Sequence, residues 1–198
     1  NIVTYAVFVP LGTPTALKAR ATAEGVELTW TDPRPAEVVI YRIARQAEKD
    51  QAMAAYAEAP AATFVDKQAE FGKKYLYQVQ GVRKAGEREV ESEPSDVIEI
   101  VPVDKFPPAT PVGLSALAGV ATIELSWERN TDADFRGYHI FRAVGDGEFT
   151  KIGGPIESPA FSDRMAEAGK TYRYAISAVD VAGNESPRSA PVQITAPQ

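Results

Sequence analysis

The chain repeats itself, and that repeat governs every other reading of it. Val26-Glu-Leu-Thr-Trp30 returns as Ile123-Glu-Leu-Ser-Trp127, 97 residues later. Phe64-Val-Asp66 returns as Phe161-Ser-Asp163, Tyr75-Leu-Tyr77 as Tyr172-Arg-Tyr174 and Gly86 as Gly183, all at the same spacing. Ile40-Tyr-Arg42 pairs with Ile140-Phe-Arg142 at 100, and Ile98-Glu-Ile100 with Val192-Gln-Ile194 at 94. Six segments in one order, with so little drift, mark a tandem duplication. With 198 residues, each copy has the length of one ordinary domain.

Within each copy, short alternating stretches lie between turn signals, the pattern of an all-β sandwich. Strands are predicted near 16–22, 26–31, 37–44, 62–66, 74–84 and 95–101 in the first copy. In the second they are predicted near 113–118, 121–128, 137–143, 148–152, 160–163, 171–180 and 190–195. Alternation puts Val26, Leu28 and Trp30 on one face, and Ile123, Leu125 and Trp127 likewise. A strand with one apolar face must bury it, so these are core residues. Tyr75, Tyr77 and Val79, and Tyr172, Tyr174, Ile176 and Ala178, follow the same rule. A tyrosine at the start of the penultimate strand also suits a tyrosine corner, its hydroxyl bonded to backbone in the loop before it.

Pro111-x-x-Leu114, Leu125-Ser-Trp127, Gly137-Tyr-His-Ile-Phe-Arg142, Ala168-Gly-Lys-Thr-Tyr-Arg-Tyr174, Ala178-Val-Asp180 and Gly183-Asn-Glu-Ser186 together resemble a fibronectin type III domain, most closely the bacterial kind of secreted and cell-envelope proteins. The resemblance covers about 90 residues of each half. It implies two immunoglobulin-like (fibronectin type III) β-sandwich domains in tandem, with the tryptophan on the second strand. The expected boundaries are an apolar arm over 1–13, a first domain over 14–103 and a second over 104–198, joined by a linker near 102–111. Pro102, Pro107, Pro108 and Pro111 make that linker a semi-rigid polyproline spacer.

Charge and composition narrow the function classes. Each half is net −3, with 12 basic against 15 acidic residues in 1–103 and 9 against 12 in 104–198. Neither half is built to hold a phosphate backbone, so no nucleic acid partner is expected. There is no cysteine, which removes disulfides, thiolate ligands and thiol nucleophiles. No apolar run is long enough to span a bilayer. Since Asn1 is not an initiator, an export signal or lipid anchor is expected upstream of it.

Candidate sites are few. His139 is the single histidine; alternation with Tyr138 and Ile140 places it toward solvent, without partners for a triad or a transition metal. Asn130, Asp132 and Asp134 are spaced like the start of a calcium loop, but the glycine and the twelfth-position glutamate are missing, and turn geometry explains them. Glu87, Glu89, Glu91 and Glu93 alternate along a charged hairpin and read as a solvated edge. The Ala-rich segment 44–58 predicts a short helix over Glu48–Ala55, the other reading being a loop followed by a strand.

Beside it, Val39, Tyr41 and Ile43 alternate away from the predicted core. An apolar stripe of that kind needs a cover, from the helical insert, from the N-terminal arm with Tyr5 and Phe8, or from a partner protein. These five residues form the candidate interaction surface. No catalytic residue, metal site or cofactor is expected. The expectation is a non-catalytic extracellular or bacterial cell-envelope module, a spacer, scaffold or adhesion element contacting an unidentified protein or cell-surface polysaccharide. The competing reading is an accessory region of a secreted carbohydrate-active enzyme.

Overall fold

The alternating segments pair as antiparallel sheets in a computed structural model that describes residues 10–38, 40–47, 52–85 and 88–198. The chain divides into two compact units, Asn1–Asp104 and Lys105–Gln198. In the first unit, β1 (Thr15–Thr22), β2 (Gly25–Thr31) and β5 (Thr63–Asp66) form one sheet in the order β1-β2-β5. The facing sheet contains β3 (Ile40–Ala47), β4 (Ala54–Ala59), β6 (Tyr75–Ala85), β7 (Arg88–Glu91) and β8 (Ile98–Ile100), in the order β4-β3-β6-β7 with β8 also on β6.

The second unit repeats this plan. β9 (Ser115–Gly119), β10 (Thr122–Ser126) and β13 (Ala160–Asp163) form one sheet; β11 (Phe135–Val144), β12 (Thr150–Ile156), β14 (Thr171–Asp180) and β15 (Val192–Thr195) form the other. Their orders are β13-β10-β9 and β12-β11-β14-β15. One 3-10 turn, Pro35–Glu37, is the helical element among the described residues. The tight β1–β2 turn needs Gly25, whose φ is +133° and where a Cβ would lie 2.1 Å from the Asp66 carbonyl oxygen.

The strand residues predicted to alternate inward on either side of the sandwich are buried. Val26, Leu28, Trp30, Tyr75, Tyr77 and Val79 are buried in the first unit, and Ile123, Leu125, Trp127, Tyr172, Tyr174, Ile176 and Ala178 in the second. Every such large side chain contributes about 1.5–3 kcal/mol of burial. Trp30 meets the Tyr41 ring edge-on at 5.2 Å, and Trp127 meets Tyr138 at 5.1 Å. Tyr75 and Tyr172 are tyrosine corners, their hydroxyls accepting from the Glu70 and Glu167 backbone N–H at 3.0 and 2.9 Å.

These contacts correct the reading of β3. Tyr41 and Ile43 are core residues, 4% and 0% exposed, and not members of an outward stripe. The true counterparts of Tyr41, Ile43 and Arg45 are Tyr138, Ile140 and Arg142, 97 residues on, like the rest of the repeat. Matching Ile40-Tyr-Arg42 to Ile140-Phe-Arg142 slipped the register by three, an odd number, and so exchanged the two faces of the strand. Val39, Tyr5 and Phe8 lie outside the described residues.

The helix expected over Glu48–Ala55 is also corrected. Ala54 and Ala55 belong to β4, which pairs with β3 through Arg45↔Ala54 and Ala44↔Ala55, while residues 48–51 lie outside the described residues. Alanine favours a helix in isolation, but a neighbouring strand edge that satisfies its backbone outweighs that preference. The repeat also starts earlier than Pro14. Pro10-Leu-Gly-Thr-Pro14 corresponds to Pro107-Pro-Ala-Thr-Pro111, and Leu11 and Pro108 are both buried.

The final strand of each sheet is interrupted in the same way. Ser92 and Ser95 donate their backbone N–H groups to Gly81 and Val79 at 2.9 Å, and their hydroxyls accept the Gly81 and Val79 N–H at 3.0 and 3.1 Å. Ser186 and Ser189 do the same with Ala178 and Ile176. Pro94 and Pro187 stand inside these clasps, where a regular strand would require an N–H. The β6–β7 hairpin of the first unit holds three more residues than its counterpart, which explains why the repeat spacing falls from 97 to 94 beyond it.

Candidate functional site

Two buried polar hubs stand at corresponding places in the two units, where the ends of β5 and β13 meet the neighbouring sheet. Asp66 is fully buried and accepts four hydrogen bonds: Arg45 Nη1 at 2.9 Å, Tyr77 Oη at 2.7 Å, Tyr56 Oη at 2.6 Å and the Gln68 N–H at 3.0 Å. Burial pushes its carboxyl up, but the donors Tyr56, Tyr77, Arg45 and Gln68 together hold it below the usual range. The Tyr56 hydroxyl is pushed up to about 12 by burial and by Asp66. Asp163 accepts Arg142 Nη1 at 2.9 Å, Tyr174 Oη at 2.7 Å and the Met165 N–H at 3.0 Å. Buried carboxylates held by such donors fix a sandwich corner.

His139 departs from its expected exposure. It is 9% exposed, beneath the segment that follows β14. Its Nδ1 lies 3.1 Å from Glu185 and 3.3 Å from Lys151 Nζ. Burial raises the Glu185 carboxyl, while bonds from Ser177 and His139 outweigh that and lower it. Ser177, His139 and Glu185 have the residue types of a hydrolytic triad in the wrong order of contact. Ser177 Oγ donates to the glutamate and not to the imidazole, and it is fully buried. A nucleophile needs the base on its own hydroxyl and an open side for substrate. Beside this group, the Arg188 guanidinium covers Phe141 at 4.2 Å. The outer face of β11 and β14 is therefore covered by its own chain, which alternation alone does not reveal.

The remaining candidates are structural in their contacts. Asn130 Nδ2 donates to the Ala109 carbonyl at 2.7 Å and to Asp132 at 3.0 Å, and Asp132 accepts the Ala109 N–H at 3.2 Å. These groups tie a turn to the preceding segment. Glu89 and Glu91 both reach Arg42 on β3, as does Glu58 from β4 at 3.7 Å, so this edge is a charge network and more than a solvated face. Glu87 lies outside the described residues.

Residues 14–99 match the family described as fibronectin type III domain SaeA third domain. The two-domain fibronectin type III segment of chicken tenascin superposes with a TM-score of 0.52 at 18% identity, covering 92% of this chain and 99% of that one. The chain has the fold of two fibronectin type III domains in tandem, and the family match lies in the first. Among curated proteins, the amylopullulanase of Thermoanaerobacterium saccharolyticum is 38% identical over 87 residues, which is 43% of this chain and 7% of the enzyme. Exoglucanase B of Cellulomonas fimi is 28% identical over 148 residues, 70% of this chain and 13% of the enzyme. The fibronectin type III chain thus spans a small fraction of the length of these relatives. Among its described residues, no helix is long and apolar enough to cross a membrane.

Sequence reasoning missed the hubs. Phe64-Val-Asp66 and Phe161-Ser-Asp163 stood out as repeat anchors, but their aspartates carried no assigned role. The signal was there: Arg45, Asp66 and Tyr77 recur as Arg142, Asp163 and Tyr174 at an unvarying 97.

Proposed function

We propose that this tandem is a non-catalytic module working outside the cell, as a spacer or scaffold within a larger protein, and that the larger protein is an enzyme of polysaccharide breakdown. The observation that carries this reading is the kind of relative matched: short stretches of an amylopullulanase and an exoglucanase align with this chain. Two stably cored sandwiches joined by a proline-dense segment suit the task of holding a catalytic domain at a distance from an anchor or a solid substrate. The carboxylates described above support it too. The buried aspartates Asp66 and Asp163 are tied to tyrosine and arginine at sandwich corners, and Glu58, Glu89 and Glu91 share Arg42 along an edge.

Deleting the tandem from its parent protein is the decisive experiment. Turnover of a soluble oligosaccharide is expected to be unchanged, while turnover of the insoluble polymer falls. Hydrolysis of either substrate by the isolated tandem refutes the non-catalytic reading. Equal loss on soluble and insoluble substrates refutes the spacer.

A further inference from the structure

The two hubs differ in one donor, and the difference leaves a cleft. In the first unit Tyr56, on β4, closes the side of the sandwich. Its ring lies 3.7 Å below the Arg45 guanidinium and edge-on to Phe64 at 6.2 Å, and its hydroxyl donates to Asp66 Oδ1. In the second unit Arg142, Phe161 and Asp163 stand in the places of Arg45, Phe64 and Asp66. Tyr56 occupies the bulge of β4 between the partners of Ala44 and Ile43, and Ile152 occupies the bulge of β12 between the partners of Phe141 and Ile140. Isoleucine has neither the reach nor the hydroxyl. The result is a cleft of about 400 Å³ lined by Arg142, Ile152, Phe161, Asp163, Arg164 and Met165. Among the described residues, Asp163 Oδ1 there accepts the Met165 N–H alone, where Asp66 Oδ1 accepts both the Gln68 N–H and a phenol.

We propose that this cleft binds a para-substituted phenol, of which the tyrosine side chain is the protein-borne form. The ring lies between the Arg142 guanidinium and Phe161, and the hydroxyl donates to Asp163 Oδ1. The chain itself supplies the template, because the same three groups already hold a phenol in the first unit. A cation face, an aromatic edge and a buried carboxylate acceptor together select a ring that is flat and carries a hydrogen-bond donor at its far end. The volume exceeds one ring and leaves room for the chain that bears it. The inference is independent of the spacer reading, since it rests on the second unit alone.

The test is a titration of the full chain with p-cresol, toluene and N-acetyltyrosinamide, followed by NMR on the Ile152 methyl and Arg142 Nε–H signals. Saturable shifts confined to these residues are expected with p-cresol, and toluene should bind about tenfold more weakly or worse, the factor a hydrogen bond to a charged acceptor carries. Binding of N-acetyltyrosinamide as tight as p-cresol supports a chain-borne tyrosine; binding of p-cresol alone supports a small free phenol. Ile152→Tyr should fill the cleft from within, abolish p-cresol shifts and raise the melting temperature of the second unit. The p-cresol and toluene comparison stands even where that variant fails to fold. Equal affinity for p-cresol and toluene, shifts scattered away from the cleft, or no saturable shift with p-cresol each overturn the proposal.

Discussion

Replacing Tyr56 by Phe removes one hydroxyl and leaves the ring against Arg45 and Phe64. Asp66 keeps Arg45, Tyr77 and the Gln68 N–H, so the carboxylate loses one of four donors. A hydrogen bond to a charged group is worth about 1.5–3 kcal/mol. Tyr56 is half-buried, so water recovers part of the loss, and about 1.5 kcal/mol is expected. In a domain of this size that lowers the melting temperature by roughly 6–12 °C. The loss also depends on pH. Asp66 has a lowered pKa in the fold, so its stabilisation is complete above the unfolded value of about 4 and is lost as pH falls through the folded value. Losing a donor moves the folded value back up. The gap between parent and variant should therefore be widest above about pH 5 and narrow below pH 4. Scanning calorimetry reads this directly, with the second unit, which has Ile152 in place of Tyr56, as internal control. A first-unit transition shifted by less than about 2 °C at pH 7, or a gap that widens as pH falls from neutral through the unfolded carboxylate value, refutes the reasoning.

Other outcomes follow from features of the fold. Trp127→Ala should cost about 3–5 kcal/mol in chemical unfolding of the second unit, since it removes a buried ring packed on Tyr138. Ser189→Ala leaves the buried Ile176 N–H without its acceptor and should cost about 1–3 kcal/mol by the same assay, with Ser189→Thr recovering most of it. Gly25→Ala should destabilise the first unit by more than 2 kcal/mol in thermal unfolding, because its Cβ meets the Asp66 carbonyl. The polypeptides 10–104 and 105–198, made separately, are each expected to show a single cooperative transition by circular dichroism.

The strands bearing the tryptophans and the paired tyrosines were legible because their apolar residues alternate cleanly and recur at one spacing. β3 misled because two like-coloured triplets, Ile40-Tyr-Arg42 and Ile140-Phe-Arg142, sit three residues out of register, and strand parity punishes an odd slip. β4 misled because its alanines carry a helical preference that only an adjacent strand overrules. The burial of His139 was invisible for another reason. Its cover comes from Glu185 and Lys151, which no local pattern connects to β11. The side cleft was further from view, since it appears only when Tyr56 is compared with Ile152 across two bulges whose spacing is 96 and not 97.

The serine clasps bear on how such a chain avoids misfolding. Two copies of one fold on a single polypeptide meet at an effective concentration on the order of millimolar, and a strand of one copy can be taken up by the sheet of the other. The last strand is the natural offender, being made last and lying at an edge. Here its first half offers no regular row of donors and acceptors: a proline interrupts it, and two hydroxyls replace main-chain acceptors at positions fixed by the serines. Any strand without serines at that spacing leaves buried N–H groups unmet, so the clasp excludes every strand but the two final ones, and the choice between those two falls to charge. With that segment charged differently in the two copies, Glu93 in one and Arg188 in the other, each sheet is better closed by its own final strand than by its neighbour's.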